Sequence, residues 1–225
     1  SEKENVIACT SCIPGEGKTF ISTNLAMSLA LLGKRVIIVG LDIRKPRLVK
    51  LFGLSSDHRG ITTFLSSDSG DFQDLDKQIH HAVLNPNLDV LPAGVIPPNP
   101  GELISREQLD HAIALLREHY DYVIVDTPPV GLVSDTLSAA RVADMTIMVC
   151  RADYSPRNNF QLINALHHDN KMPKITLVLN GIDLKKRKYG YYYGYGKYGK
   201  YGHYGHYGVY GHYGSHSSHD VHMEK

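Results

Sequence analysis

Ile7-Ala8-Cys9-Thr10-Ser11-Cys12-Ile13-Pro14-Gly15-Glu16-Gly17-Lys18-Thr19 is the stretch whose reading decides the fold. A short apolar run leads into a turn bearing two glycines, and Gly17-Lys18-Thr19 opens a segment of helical spacing. That is the order a phosphate-binding loop requires. Backbone N–H groups wrap the phosphates in such a loop, so its glycines must accept close approach and unusual backbone angles. Lys18 then reaches the β and γ phosphates of a nucleotide, and the Thr19 hydroxyl holds Mg²⁺. Pro14, Gly15, Glu16, Gly17 and Phe20 complete the expected nucleotide contact. A Gly-Lys-Thr turn of no consequence is the bland alternative, and Cys12 stands where the usual pattern has its first glycine.

Outward from the loop, strand-like and helix-like segments alternate. Residues 5–10 read as a buried strand and 18–32 as a helix, with Ile21, Leu25, Leu29 and Leu32 at helical intervals and Gly33 as its stop. Arg35-Val36-Ile37-Ile38-Val39 needs no polar face and reads as a central parallel strand, ending in Gly40-Leu41-Asp42. From Val49 to His81 the pattern weakens to loops around one or two short helices. Residues 88–91 form a third strand. Pro97-Pro98-Asn99-Pro100 is a connector that cannot be helical. A helix capped by Ser105 runs on to Tyr120. Further strands follow at 122–126, 145–150 and 175–180, separated by helices near 134–141 and 157–168. Such alternation predicts an α/β, doubly wound, mostly parallel sheet with helices on both faces. Ligands of such sheets sit at the carboxyl ends of the strands.

The 225 residues suffice for one α/β domain, 1–184, and an appendage, 185–225. A formal net charge of +1 makes no case for nucleic acid as a partner. Three widely spaced cysteines argue against a disulfide framework and fit a reducing cytosol. Cys9 and Cys150 read as small core residues, whereas Cys12, in the loop, is oxidisable if exposed. No apolar run is long enough to span a membrane and no signal peptide is visible. With Ser1-Glu2-Lys3-Glu4 just before the first strand and no initiator Met, the sequence is expected to be an excised domain.

After Asp183 the composition changes. Lys185-Lys186-Arg187-Lys188 leads into a run in which eleven of the chain's fourteen tyrosines fall: Tyr189, Tyr191, Tyr192, Tyr193, Tyr195, Tyr198, Tyr201, Tyr204, Tyr207, Tyr210 and Tyr213. Spaced by Gly, Lys and His, they lack the aliphatic partners that would offset ordering, so a disordered tail is expected. An adhesive low-complexity segment, adventitious metal binding by His203, His206 and their neighbours, and lipid contact by the Lys185–Lys188 run are the blander readings. The last strand should end on the same sheet edge as the loop. About 25 flexible residues then span roughly 25–30 Å, enough to reach a site on the same or a neighbouring subunit.

Two carboxylates arrive at strand ends. Asp126, after Val123-Ile124-Val125, has the position of a group that orients Mg²⁺ through its water shell, and Asp42 is the second. Asp135 and Arg44 are softer candidates, and Asn180 ends the last strand.

The set resembles the bacterial tyrosine kinases, the P-loop autokinases of capsule and exopolysaccharide export of the Wzc and CapB type. Pro14-Gly15-Glu16-Gly17-Lys18-Thr19, Leu41-Asp42-Ile43-Arg44-Lys45-Pro46-Arg47, Asp126-Thr127-Pro128-Pro129 and the stretch from Leu91 to Leu103 carry the resemblance. It implies Mg²⁺-ATP as donor and the tail tyrosines as acceptors. Lys18, Asp42 and Asp126 are the catalytic residues it implies, with Thr19, Asp42 and Asp126 at the metal and Asn180 near the adenine ring. It further implies transfer between subunits of a ring-type homo-oligomer, a membrane polysaccharide co-polymerase or adaptor domain and a cognate tyrosine phosphatase as partners, and a place on the cytoplasmic face of the bacterial inner membrane, the fragment itself being soluble. The family's second motif usually carries two aspartates two apart; the first falls on Gly40, which leaves open what takes the tyrosine proton. Rival readings are a partitioning or septum-positioning ATPase, whose early loop lysine is matched here by Ile13, a metal-cluster carrier, for which no C-x-x-C pair exists, and a non-catalytic nucleotide-binding adaptor.

Overall fold

Six apolar runs become the strands of one sheet in the computed structural model, which describes residues 4–55, 58–67, 70–132 and 135–183. The chain divides into two units, Ser1–Ile182 and Asp183–Lys225. The basic run, the eleven tail tyrosines and the tail histidines lie outside the described residues, as does Ser134. Strands β1 (Val6–Ser11), β2 (Val36–Gly40), β3 (Leu88–Leu91), β4 (Tyr122–Asp126), β5 (Met145–Arg151) and β6 (Ile175–Asn180) stand in the order β3-β2-β4-β1-β5-β6. Every pairing between these strands is parallel, with one isolated antiparallel bridge from His80 to Val90, which fits the mostly parallel sheet that the alternation predicts.

Helices cover both faces, and the strand residues divide accordingly. Ile37, Val39, Val123 and Val125 pack with Leu109, Ile113 and Leu116 of α6 (Glu107–His119) and with α3 (Ile61–Leu65). Their neighbours Val36, Ile38 and Ile124 pack with α1 (Lys18–Leu31) on the other face. Val36 to Val39 are all 0 % exposed, and burying each contributes roughly 1.5–3 kcal/mol. The remaining helices are α2 (Leu48–Phe52), α4 (Phe72–Asp76), α5 (Pro100–Ser105), α7 (Asp135–Ala140) and α8 (Asn159–His168).

Three details depart from the sequence reading. The face of α1 against the sheet is made of Ser22, Ala26 and Ala30, while Ile21, Leu25 and Leu29 flank it and Leu32 is 75 % exposed. Small residues win because this helix lies close to the strands. Pro100 opens α5 instead of barring a helix, since a first-turn N–H has no helical partner to lose. Ser105 therefore ends α5 instead of capping α6, and its hydroxyl donates to the Gly101 carbonyl at 2.8 Å. Among the described residues, the stretch from Val49 to His81 holds three short helices, not one or two. Gly33 does stop α1: with φ 78° its N–H donates to Ala30 and that of Lys34 to Leu29, the pattern of a glycine-ended helix.

Asp144, just before β5, pins the start of β1. Its Oδ2 accepts from the N–H groups of Asn5 and Val6, both at 2.8 Å, and from Arg117 Nη1 at 2.6 Å. Burial alone would push its carboxyl up, but the Arg117 hydrogen bond, the Val6 N–H, the Arg117 charge and the Asn5 N–H together hold it below its ordinary value. A depressed carboxylate contributes stability above its unfolded pKa and loses it as pH falls through the folded one. Asp144→Asn is therefore expected to lower the unfolding free energy at pH 7 by about 1.5–3 kcal/mol. In urea titrations the gap to the parent chain should close below about pH 3.9, where the unfolded carboxyl protonates.

Candidate nucleotide and phosphoryl-transfer site

The loop after β1 turns into α1 through Gly17 at φ 99°, a left-handed conformation that leaves the helix without a side-chain cap. Its first N–H groups are thus free for a ligand, and the helix dipole favours an anion there. A Cβ on Gly17 would stand 2.2 Å from Asn180 Nδ2, and one on Gly15 (φ 87°) would stand 2.8 Å from the Tyr154 hydroxyl. Only glycine fits either place.

What fixes the loop from outside is a brace that sequence reasoning missed. Tyr154 donates its hydroxyl to the Pro14 carbonyl at 3.0 Å, Arg151 its Nη1 to Gly15 at 3.1 Å, and Asn180 its amide to Glu16 at 3.0 Å. Each trans peptide is planar. Turning these three carbonyls outward therefore turns the N–H groups of Gly15, Glu16 and Gly17 the other way, which is the concave donor array that anions occupy. The Arg151 guanidinium also lies 5.1 Å from the centre of the Tyr154 ring. Glu16, expected at the nucleotide, is 0 % exposed. Its carboxylate accepts from Ile13 N–H at 2.8 Å and from the Ser155 hydroxyl, so it shapes the loop from within. The available signal was positional: Arg151-Ala152-Asp153-Tyr154-Ser155 follows a strand end, where the sheet rule already places ligand contacts. Tyr154→Phe removes one neutral hydrogen bond. It should raise the KM for ATP about 2- to 10-fold with a smaller change in kcat, measured at saturating acceptor.

Asp126 lies at the carboxyl end of β4, opposite Cys9 on one side and Gly40 on the other. Its carboxylate accepts from the Thr19 hydroxyl at 2.9 Å and from Ser22 at 3.3 Å. Ser22, unflagged in the sequence, is thereby part of the site. Lys18 Nζ stands 3.1 Å from Asp42 Oδ2, 3.6 Å from Asp126 Oδ1 and 3.2 Å from the Thr19 hydroxyl. Asp42 Oδ1 takes the N–H of Lys45 at 3.1 Å. Lys18, Thr19, Asp42 and Asp126 thus meet at one point. Burial pushes the Asp126 carboxyl up; the Lys18 charge and the Thr19 bond pull it back, Asp42 adds to the rise and Ser22 opposes it, leaving a net upward shift.

At Gly40 a Cβ would lie 3.1 Å from Leu48 Cδ1 and 3.2 Å from the Ala93 nitrogen. Leu48 and the Ala93 backbone crowd the place a side chain at position 40 would take, so Asp42 is the carboxylate this segment supplies. Asp135 is held by Arg44 Nε at 2.6 Å, so each offsets the other's charge in this structure. Asn180 spends its amide on the loop backbone and accepts from Gly181 N–H. Phe20 is 61 % exposed on α1. Cys12 is 1 % exposed, and burial, then the Glu16 charge and Cys150, push its thiol up to about 12. That overturns the oxidisable reading. Cys9 and Cys150 are buried as expected.

The residues fit magnesium of one kind. Among the described residues no three His, Cys, Asp or Glu side chains are grouped to cage a metal. One hydroxyl and two carboxylates beside a phosphate cradle match an ion that keeps waters and shares phosphate oxygens. No helix among the described residues is long and apolar enough to cross a membrane.

A family model described as an AAA domain matches residues 4–177. Tyrosine-protein kinase CpsD of Streptococcus agalactiae is 33 % identical over 198 residues, covering 88 % of this chain and 84 % of that protein. Tyrosine-protein kinase etk of Escherichia coli K12 is 31 % identical over 191 residues, covering 85 % of this chain; the chain spans 25 % of that longer protein. The solved kinase domain of Escherichia coli ETK superposes with a TM-score of 0.73 at 29 % identity, over 81 % of this chain and 69 % of that one. The septum site-determining protein MinD of Pyrococcus horikoshii, at 22 % identity and a TM-score of 0.63 over 78 % and 69 %, shares the fold alone. By the residues at its loop and strand ends and by these identities, the chain belongs to the AAA-domain family and, within it, to the bacterial tyrosine-protein kinases.

Proposed function

We propose that the chain transfers the γ-phosphoryl group of ATP to tyrosines of its own C-terminal cluster, Tyr189 to Tyr213, between subunits, and so regulates capsule or exopolysaccharide synthesis and export. The convergence of Thr19, Asp42 and Asp126 within 3.6 Å of Lys18 Nζ carries the reading. The Pγ–O bond to ADP breaks, the bond from the tyrosine Oη to phosphorus forms, and the phenolic proton leaves to solvent.

Such a transfer asks the protein mainly to position and to neutralise charge. The N–H groups of the braced loop hold the phosphates, and Lys18 exchanges its carboxylate partners for phosphate oxygens. Asp42 orients the acceptor. Thr19, Asp42 and Asp126 would hold Mg²⁺ or its waters, an ion that supplies positive charge to the β and γ oxygens. β6 ends on the same edge of the sheet as the loop, as its register with β5 and the Asn180–Glu16 bond require. A ring of subunits, a membrane co-polymerase or adaptor domain at the inner face of the bacterial membrane and a tyrosine phosphatase are the partners that follow from the family.

Incubating the full chain with Mg²⁺-ATP and mapping phosphopeptides tests this. Phosphate on several residues from Tyr189 to Tyr213 is expected. A chain that binds Mg²⁺-ATP and carries none there would favour the non-catalytic adaptor.

A further inference from the structure

The cavity of about 1280 Å³ that holds the phosphate cradle extends past it as a groove between α1 and α2. Its floor is apolar and open: Phe20, Leu51 and Leu84 are 61, 55 and 76 % exposed, with Met27 and Phe52 partly buried beneath. Its rim is basic. Lys45, Arg47 and Lys50 line it and are exposed, and no ion pair engages their side chains among the described residues. Arg44 is already neutralised by Asp135, and the groove's acid, Asp42, is held by Lys18.

An unmodified tail suits the floor and not the rim. From Lys185 to His219 it has no acidic residue, so its tyrosine rings fit an apolar groove while its lysines are repelled. A phosphate on tyrosine brings about −1.5 to −2 charge and reverses the rim's preference. From Tyr195 to Tyr213 the tyrosines recur every third residue, about 10 Å apart when extended. A phosphotyrosine on the rim therefore leaves the next ring one repeat away, toward Asp42 and the cradle. By flexible-chain scaling a tail of this length reaches the groove on its own or a neighbouring subunit, and the transfer between subunits proposed above makes a second copy's tail the occupant.

Resting on the kinase reading above, we infer that this groove binds a phosphotyrosine of a second copy's tail, so that a tail already carrying one phosphate is a better substrate than a bare one. Phosphorylation is then self-priming, and its time course accelerates after the first transfer.

The test uses the full chain, dephosphorylated beforehand, and two synthetic peptides spanning residues 195–203, one bare and one phosphorylated at Tyr198. Relative to the bare peptide, the primed one should show kcat/KM at Tyr195 or Tyr201 higher about 5- to 20-fold, the size of one or two charge-assisted contacts. The advantage should fade in 0.5 M salt. Arg47→Glu with Lys50→Glu should erase it without lowering the rate on the bare peptide. Equal rates on both peptides, or a preference that survives charge reversal, would overturn the inference. Fluorescence anisotropy of the same labelled peptides keeps the two proposals apart. Tighter binding of the primed peptide that vanishes on charge reversal supports the groove even if neither peptide is phosphorylated, a result that would sink the kinase reading alone. Equal binding would sink the groove.

Discussion

Lys18→Met is expected to abolish ATP-dependent labelling of the chain and its affinity for metal-bound nucleotide together. The ammonium is the positive group shared by Asp42, Asp126 and the phosphate cradle, and among the described residues no other cation forms an ion pair with either acid. Removing one preorganised donor from a charge-developing centre costs about 10²–10³-fold in rate, and this one also binds the ground state. The variant carries a second cost. Asp126 is 2 % and Asp42 9 % exposed, so taking away their shared cation leaves two nearly buried carboxylates facing each other, a loss on the order of 3–5 kcal/mol. Loss of labelling alone would therefore be ambiguous between chemistry and folding. Lys18→Arg separates them. It keeps the charge beside the acids, so urea unfolding should stay near the parent's, yet its longer planar head cannot follow the phosphate as a point charge does. Labelling should still fall by at least about 10²-fold. A Lys18→Arg chain that folds and labels normally would remove Lys18 from the reaction.

Much of this site was legible in the sequence because it is written in short-range terms. A glycine that must be left-handed, a lysine and threonine opening a helix and an aspartate ending an apolar strand are each fixed by local geometry. The parallel sheet then brings strand ends together without further instruction. Asp42 and Asp126, 84 positions apart, meet because Gly40 pairs with Asp126. What escaped was the outer layer. Tyr154, Arg151 and Ser155 act through carbonyls and a carboxylate more than 130 residues away, and nothing local marks them. Glu16 was misassigned for the same reason: its position in the loop predicts ligand contact, while its side chain turns inward to Ser155. The short helices between Val49 and His81 were faint because each has five residues, too few for a periodic signal. Ser105 shows the opposite failure. It is a good cap by residue type, but Pro100 starts a helix earlier and uses it up.

Ending the chain after Lys188 should remove nearly all phosphate incorporation while leaving Mg²⁺-ATP binding intact. Eleven of fourteen tyrosines go with the tail, and two of the remaining three are poor acceptors. Tyr120 is 7 % exposed and donates its hydroxyl to Asp89 at 2.7 Å, and burial, with that bond, pushes its phenol above the ordinary range. Tyr122 is half-buried in a central strand. The nucleotide site loses nothing, since the brace, the cradle and both acids lie before Asp183. A full-length chain with the eleven tail tyrosines changed to Phe guards against an indirect effect of truncation. It keeps length, charge and ring area, lacks only the acceptor hydroxyls, and should behave as the truncated chain does. Undiminished labelling in both would move the acceptor to Tyr154, which is 48 % exposed. Modification there would break the bond to the Pro14 carbonyl and loosen the loop. In that case labelling would be self-limiting, and nucleotide affinity would fall as phosphate accumulates instead of staying constant. The two outcomes differ in a single titration of ATP before and after incubation.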